Sequence, residues 1–168
     1  MSKRTALLIT AGILAASAPG AASACLPPLP VSAGVAAERE RGRQSELWMR
    51  SDAVFLAQLS DIEALAAATP RAQRNRAELA PSLALKGDLP TTRIHIRHTI
   101  LTSCGYLPFL DALNSDRGDW FVVFARDLPD GLSVDATMPV AGLIDAEVLR
   151  AWRKANPASI GLAPTEPN

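Results

Sequence analysis

The chain has few of the features that mark a function directly. It carries only two cysteines, Cys25 and Cys104, too few for a disulfide-framed miniprotein or a thiolate metal centre. It has one tyrosine and four phenylalanines, and aromatic residues make up 5% of the whole. There is no excess of either charge, with 17 basic against 17 acidic side chains, so nothing draws it to nucleic acid or to an anionic membrane surface. No phosphate-cradling glycine loop, nucleophile elbow or dense cluster of metal ligands occurs. With Cys104 expected in a disulfide, no activated nucleophile is left, so the expectation is a protein without catalysis and without a cofactor. A hydrophobic run long enough to span a bilayer is also missing: the longest, Ala6 to Ala18, is about 13 residues against the ~20 a spanning helix needs.

That short run has a different meaning. Lys3 and Arg4 precede it, Pro19-Gly20 ends it, and Ala22-Ser23-Ala24 supplies the small-x-small pattern that a signal peptidase reads. Residues 1–24 are therefore expected to be a cleaved export signal, which places the mature protein in the periplasm or outside the cell. Losing Lys3 and Arg4 leaves a net charge near −2. Cleavage would make Cys25 the first mature residue. A lipoprotein signal also ends just before a cysteine, but with Leu, Val or Ile three residues earlier, where Ala22 stands here. A lipidated Cys25 is the alternative, and only that would tie the protein to a membrane. In an oxidising compartment Cys25 and Cys104 are expected to pair, closing about 80 residues for roughly 4 kcal/mol in the chain-entropy model. Two free thiols, or a lipidated Cys25 with Cys104 alone, are the other arrangements.

The mature chain is long enough for one domain with its own core. Cys25 to Pro30 must be extended, because proline disfavours helix for itself and for its predecessor. Ser32 caps a predicted helix to about Arg50 that is weakened by Gly42 and buries Leu47, Trp48 and Met49 at its end. Residues 53–60 read as a buried strand, and residues 61–76 as an exposed loop. Leu79, Leu83 and Leu85 mark a second strand, which Pro81 makes irregular or an edge. Residues 91–100 alternate clearly: Ile94, Ile96, His98 and Ile100 on one face, Arg93, His95, Arg97 and Thr99 on the other. Trp120 to Ala125 is a further strand, turned at Asp130-Gly131 into a short one from Leu132 to Ala136. Asp145 caps a last helix with Val148, Leu149 and Trp152 as its apolar stripe. Asn156-Pro157 stops it, and residues 157–168 read as a disordered Pro-rich tail. Short strands followed by a helix imply a mainly β fold, a small barrel with helices outside.

Four pieces in order sharpen this reading: Cys25-Leu26-Pro27-Pro28-Leu29-Pro30, Ser51-Asp52-Ala53-Val54-Phe55, Ser103-Cys104-Gly105-Tyr106, and Trp120 to Ala125 with Asp130-Gly131-Leu132. Together they resemble the tissue inhibitor of metalloproteinases and netrin-like family, including its short bacterial members. The resemblance implies a domain over residues 25–156 built on a five-stranded oligonucleotide/oligosaccharide-binding barrel. It implies Pro27, Pro28, Gly105 and Tyr106 as family motif positions. It also implies a protein partner, an extracytoplasmic zinc metalloprotease. In the inhibitors a free N-terminal cysteine chelates the protease zinc through its amine and carbonyl, and the next side chain enters the adjoining pocket. Here those would be Cys25 and Leu26. The animal inhibitors begin Cys-x-Cys, whereas this chain has one cysteine there. Its spacing to Pro27-Pro28 matches the family's second cysteine and its terminal position matches the first, the one that pairs with the Cys-Gly-Tyr cysteine. The family's later cysteine would fall near Thr137. Many relatives are binding modules without inhibitory action, with the cysteine only tying down the N-terminus.

The remaining candidates are weaker. His95 and His98 are three apart on a strand, so they point to opposite faces and cannot share a metal. Arg93, His95 and Arg97 could form an anion or glycan patch, though a solvated face explains them as well. Arg71, Arg74 and Arg76 could touch anionic envelope material, and the Glu38-to-Arg43 run reads as a solvated helix face with local ion pairs.

Overall fold

A computed structural model describes residues 30–65, 74–98, 100–102, 105–107, 110–129 and 131–155. The fold is mainly β. Five antiparallel strands form one sheet in the order β3-β2-β1-β6-β7, and helices α1 (Ala33–Arg50) and α2 (Ala146–Ala155) lie against it. The strands are β1 (Ala53–Leu65), β2 (Arg74–Lys86), β3 (Ile94–Arg97), β6 (Trp120–Leu128) and β7 (Gly131–Pro139). A separate hairpin, β4 (Ile100–Thr102) with β5 (Gly105–Leu107), follows β3. Three successive strands and a fourth that returns beside the first make a Greek key. The two edge strands, β3 and β7, are not bonded to each other, so the sheet is open. Among the described residues no helix is long and apolar enough to cross a membrane.

Strand alternation sorts the core into two layers. Phe55, Ala57, Leu59, Leu79, Ile96, Phe121 and Val123 face one side, where a 3-10 turn at Asp111–Asn114 covers them with Ala112 and Leu113. Val54, Leu56, Val122 and Phe124 face the other, against Leu47 of α1 and Val148 and Trp152 of α2. Both faces of the central strands β1 and β6 are thus buried, which is why their sequences run apolar without alternation.

Register slips change which residues face which layer; β2 carries two, at Ser82 and Leu85, and Leu83 packs under the helices although Leu79 packs on the first layer. In β1 the register slips between Leu59 and Asp61, so Ser60 is extra and Ile62 returns to the layer of Leu59. In β7 the slip between Phe124 and Ala125 leaves Asp135 extra. Val134 therefore packs on the first layer while Ala136 and Met138 pack under the helices. Thr137 then faces the first layer, and its buried Oγ1 accepts a hydrogen bond from Ala112 N (3.0 Å). The neighbouring Leu110 makes a parallel bridge to the same residue.

Several expectations need correcting. Residues 61–65 and 74–76 are strand rather than loop, because β1 and β2 continue as a long hairpin past the Ser60 bulge. The strand expected over 91–100 is divided. The β2 ladder ends at Arg74, so the chain leaves it after His98 N donates to Asn75 O (3.3 Å) and starts β4 at Ile100. Met49 is 71% exposed and is not part of the buried end of α1. β7 runs to Pro139, past the expected Ala136. The irregularity expected at Pro81 is present: the β1–β2 register slips beside it, leaving Ser82 extra, and β3 pairs only with Arg76 to Leu79, so no ladder bond is needed from Pro81 on that side.

The helix ends follow their capping chemistry. Ser32 Oγ accepts from Val35 N (3.4 Å), and Asp145 Oδ1 accepts from Glu147 N and Val148 N (3.0 and 3.1 Å). The end of α1 has a cap from elsewhere in the chain. Lys86 Nζ donates to Trp48 O (2.7 Å) and Ser51 O (2.6 Å), placing a cation at the negative end of the helix dipole.

Candidate functional site

The residues implied as the inhibitory contact, Cys25 and Leu26, lie outside the described residues, as do Pro27, Pro28 and Cys104; the expected Cys25–Cys104 bridge therefore does too. The export signal, residues 1–24, the loop residue Arg71 and the tail, residues 157–168, also lie outside them. Gly105 and Tyr106 are placed: they form β5, with Tyr106 opposite Leu101 of β4. The β4–β5 hairpin follows β3 in the chain, and β3 is the edge strand opposite β7.

The first described residues lead into α1, and the start of that helix stands clear of the body. Every residue from Pro30 to Arg39 is exposed, Val31 and Val35 included. Burial begins at Glu40. Its carboxylate accepts from Arg43 Nε and Nη2 (2.8 and 2.7 Å) and from Gln44 Nε2 (2.8 Å). Burial pushes the Glu40 carboxyl up, but the Arg43 and Gln44 hydrogen bonds outweigh it, and its pKa lies below the ordinary carboxylate value. The nearby Asp111 carboxyl goes the other way, raised by burial and by Glu40 although Arg43 draws it down.

Gln44 is the fastener at this junction, and nothing in the local sequence marks it. It is fully buried. Besides Glu40, its Nε2 donates to Gly142 O (2.8 Å), and its Oε1 accepts from Ile144 N (2.8 Å) and Asp145 N (3.0 Å). One amide therefore uses its full donor and acceptor capacity to tie α1 to the loop that starts α2.

The histidines divide as the strand period requires. His95 is exposed. His98 is half-buried, with Nδ1 accepting from Asn75 N (3.2 Å), and burial lowers its pKa. Arg93, His95 and Arg97 do share the outer face of the sheet, but acids share it with them. Glu78 pairs with Arg93 and lies 3.9 Å from His95, Glu63 pairs with Arg76 (2.7 Å), and Asp61 pairs with Arg117. The Arg93 and Ser60 hydrogen bonds hold the Glu78 carboxyl below its usual value. The hollow among Asp61, Glu63, Arg76, Glu78 and His95 is about 40 Å³, space for water but not for a sugar ring. This face is a lattice of exposed cross-strand ion pairs rather than a cationic patch. Among the described residues no group of three or more His, Cys, Asp or Glu side chains could hold a metal.

No family model matches the chain, and a search of curated proteins finds no match.

Proposed function

We propose that the chain is an exported, non-catalytic binding module of the netrin-like and metalloproteinase-inhibitor type, whose mature N-terminus presents Cys25 and Leu26 to an extracytoplasmic zinc protease. The observation that carries this reading is the Greek-key order β3-β2-β1-β6-β7 together with the parallel bridge between Leu110 and Thr137. Oligonucleotide/oligosaccharide-binding barrels are five-stranded, partly open Greek keys. A parallel bridge from Leu110, beyond the β4–β5 hairpin, to Thr137 of β7 is the kind of contact by which such a barrel would begin to close, although the sheet itself is open. The order of the motif-bearing pieces along the strands agrees with that: Ser51 to Phe55 opens β1, Gly105-Tyr106 follows β3, and Trp120 to Ala125 opens β6.

In this reading the Cys25 amine and carbonyl fill the open coordination position of the protease zinc, and Leu26 occupies the apolar pocket beside it. The experiment is a panel of zinc proteases assayed with the chain beginning at Cys25 and with a form carrying two extra residues before it. Inhibition by the first form and at least a hundredfold weaker inhibition by the second is expected. Equal inhibition by both, or none by either, overturns the mechanism.

A second reading has its own support. The exposed stretch from Pro30 to Arg39 would act as a stand-off between a lipidated Cys25 and the folded body, which fits an envelope-anchored adaptor. Detergent partitioning of the exported protein with membranes, abolished by Cys25→Ser, would favour it over the inhibitor.

A further inference from the structure

We infer that the groove between α2 and the end of β2 is the seat of the segment that follows α2, residues 158–163, which turns back along the helix and packs Ile160 and Leu162 against Trp48. This goes beyond the inhibitor reading and does not involve Cys25. The groove has a volume of about 470 Å³. One wall is a single face of α2, where Glu147, Arg150, Ala151, Lys154 and Ala155 recur at helical spacing beside the stripe of Val148 and Trp152 that enters the core. The other side is Trp48 of α1 with Ala84 and Leu85 of β2. Trp48 and Leu85 pack on the core layer under the helices but are only half-buried, so part of their apolar surface is left for the groove.

Three features select this occupant over any other. The first is position. Ala155 is the last residue of α2 and itself lines the groove, so the chain that follows leaves the helix beside it. The wall from Glu147 to Ala155 is about 12 Å long at a helical rise of ~1.5 Å per residue. Pro157 cannot continue the helix, and from Asn156 to Ile160 an extended chain covers about 13 Å, enough to reach any point along that wall. The second is composition. Asn156 to Thr165 carries no charge, and Ile160 and Leu162 are its large apolar side chains. They stand two apart around Gly161, so in an extended segment both point the same way. The third is charge. Glu147 and Arg150 pair with each other (2.7 Å), which leaves the lining one net positive charge at Lys154. A lining of that sign favours a segment whose one charged residue, Glu166, is negative. The part of the tail before Pro164 is then docked, in place of the disorder that its composition suggests.

The test uses the full mature chain with labelled isoleucine and leucine methyl groups. Nuclear Overhauser contacts from Ile160 or Leu162 methyls to the Trp48 ring are expected. Hydroxyl-radical labelling gives an independent readout. A chain ending at Ala155 should label Trp48 at least threefold faster, while Trp152, buried in the core, keeps its rate and reports that the fold is intact. Ile160→Asp combined with Leu162→Asp should match the truncation. If either variant also labels Trp152 faster, its fold is lost and the methyl-to-ring contacts of the unaltered chain decide. Absence of those contacts, or an unchanged Trp48 rate in both variants, overturns the inference. Protection of Trp48 that rises with protein concentration would assign the groove to a second copy of the chain, and would overturn it too.

Discussion

Replacing Gln44 should cost more than replacing any other polar side chain on α1, and the structure says why. Truncation to alanine removes four hydrogen bonds at 2.8 to 3.0 Å. The stranded groups are not equivalent. Asp145 is 6% exposed, so its N–H has little access to water, whereas Gly142 is exposed and Ile144 only half-buried. A stranded buried donor costs about 1–3 kcal/mol, and a group that water can reach costs much less. Adding a modest packing loss gives about 3 kcal/mol for Gln44→Ala, or roughly 10 °C in melting temperature for a domain of this size. Equilibrium urea unfolding of Gln44→Ala beside Gln44→Met separates the causes. Methionine restores the volume but not the hydrogen bonds, so the two variants should lose nearly the same stability. A loss below about 1 kcal/mol for alanine, or recovery of most of it by methionine, would refute the assignment of Gln44 as a hydrogen-bonded fastener.

Three further outcomes follow from the same physics. Gly87 has φ +66°, and a Cβ there would collide with the Asp52 carbonyl oxygen; Gly87→Ala should cost about 3 kcal/mol or more in urea unfolding. Asp135, the bulge residue, is held bidentately by Arg126 (2.6 and 2.8 Å) with Arg50 3.6 Å away; Asp135→Ala should cost about 1–2 kcal/mol, and much of the loss should disappear in high salt if charge carries it. His98 has a pKa lowered by burial from its usual 6.5, so the unfolded chain takes up a proton first as pH falls. Its contribution is present in full above pH 6.5 and is lost as pH drops toward the folded-state value, a loss that His98→Gln should remove from the stability-against-pH profile.

The elements that were legible from the sequence are those whose signal is local. Ser32 and Asp145 each place a side-chain oxygen within reach of the first turn's N–H groups, so both helix starts could be read from single residues. The apolar runs of β1 and β6 and the stripe of Val148 and Trp152 report burial directly, and His95 and His98 separate as a period of two demands. The failures occur where an irregularity or a distant partner decides. The Ser60 bulge breaks the alternation, so Ile62 no longer reads in phase with Leu59, and the outer half of the β1–β2 hairpin resembles a polar loop. The acids that neutralise Arg93 and Arg76 sit on neighbouring strands, out of sight of any motif. Gln44 stands in a run of charged residues, and its decisive partners are about 100 residues away.

The most direct measurement of the central claim is the intact mass of the mature protein from its native host, with and without reduction. The inhibitor account predicts a chain that begins at Cys25 with an unmodified amine and gains two hydrogens on reduction. A mass increased by lipid would block the zinc-chelating amine and contradict it, leaving the envelope-anchored adaptor as the reading to pursue.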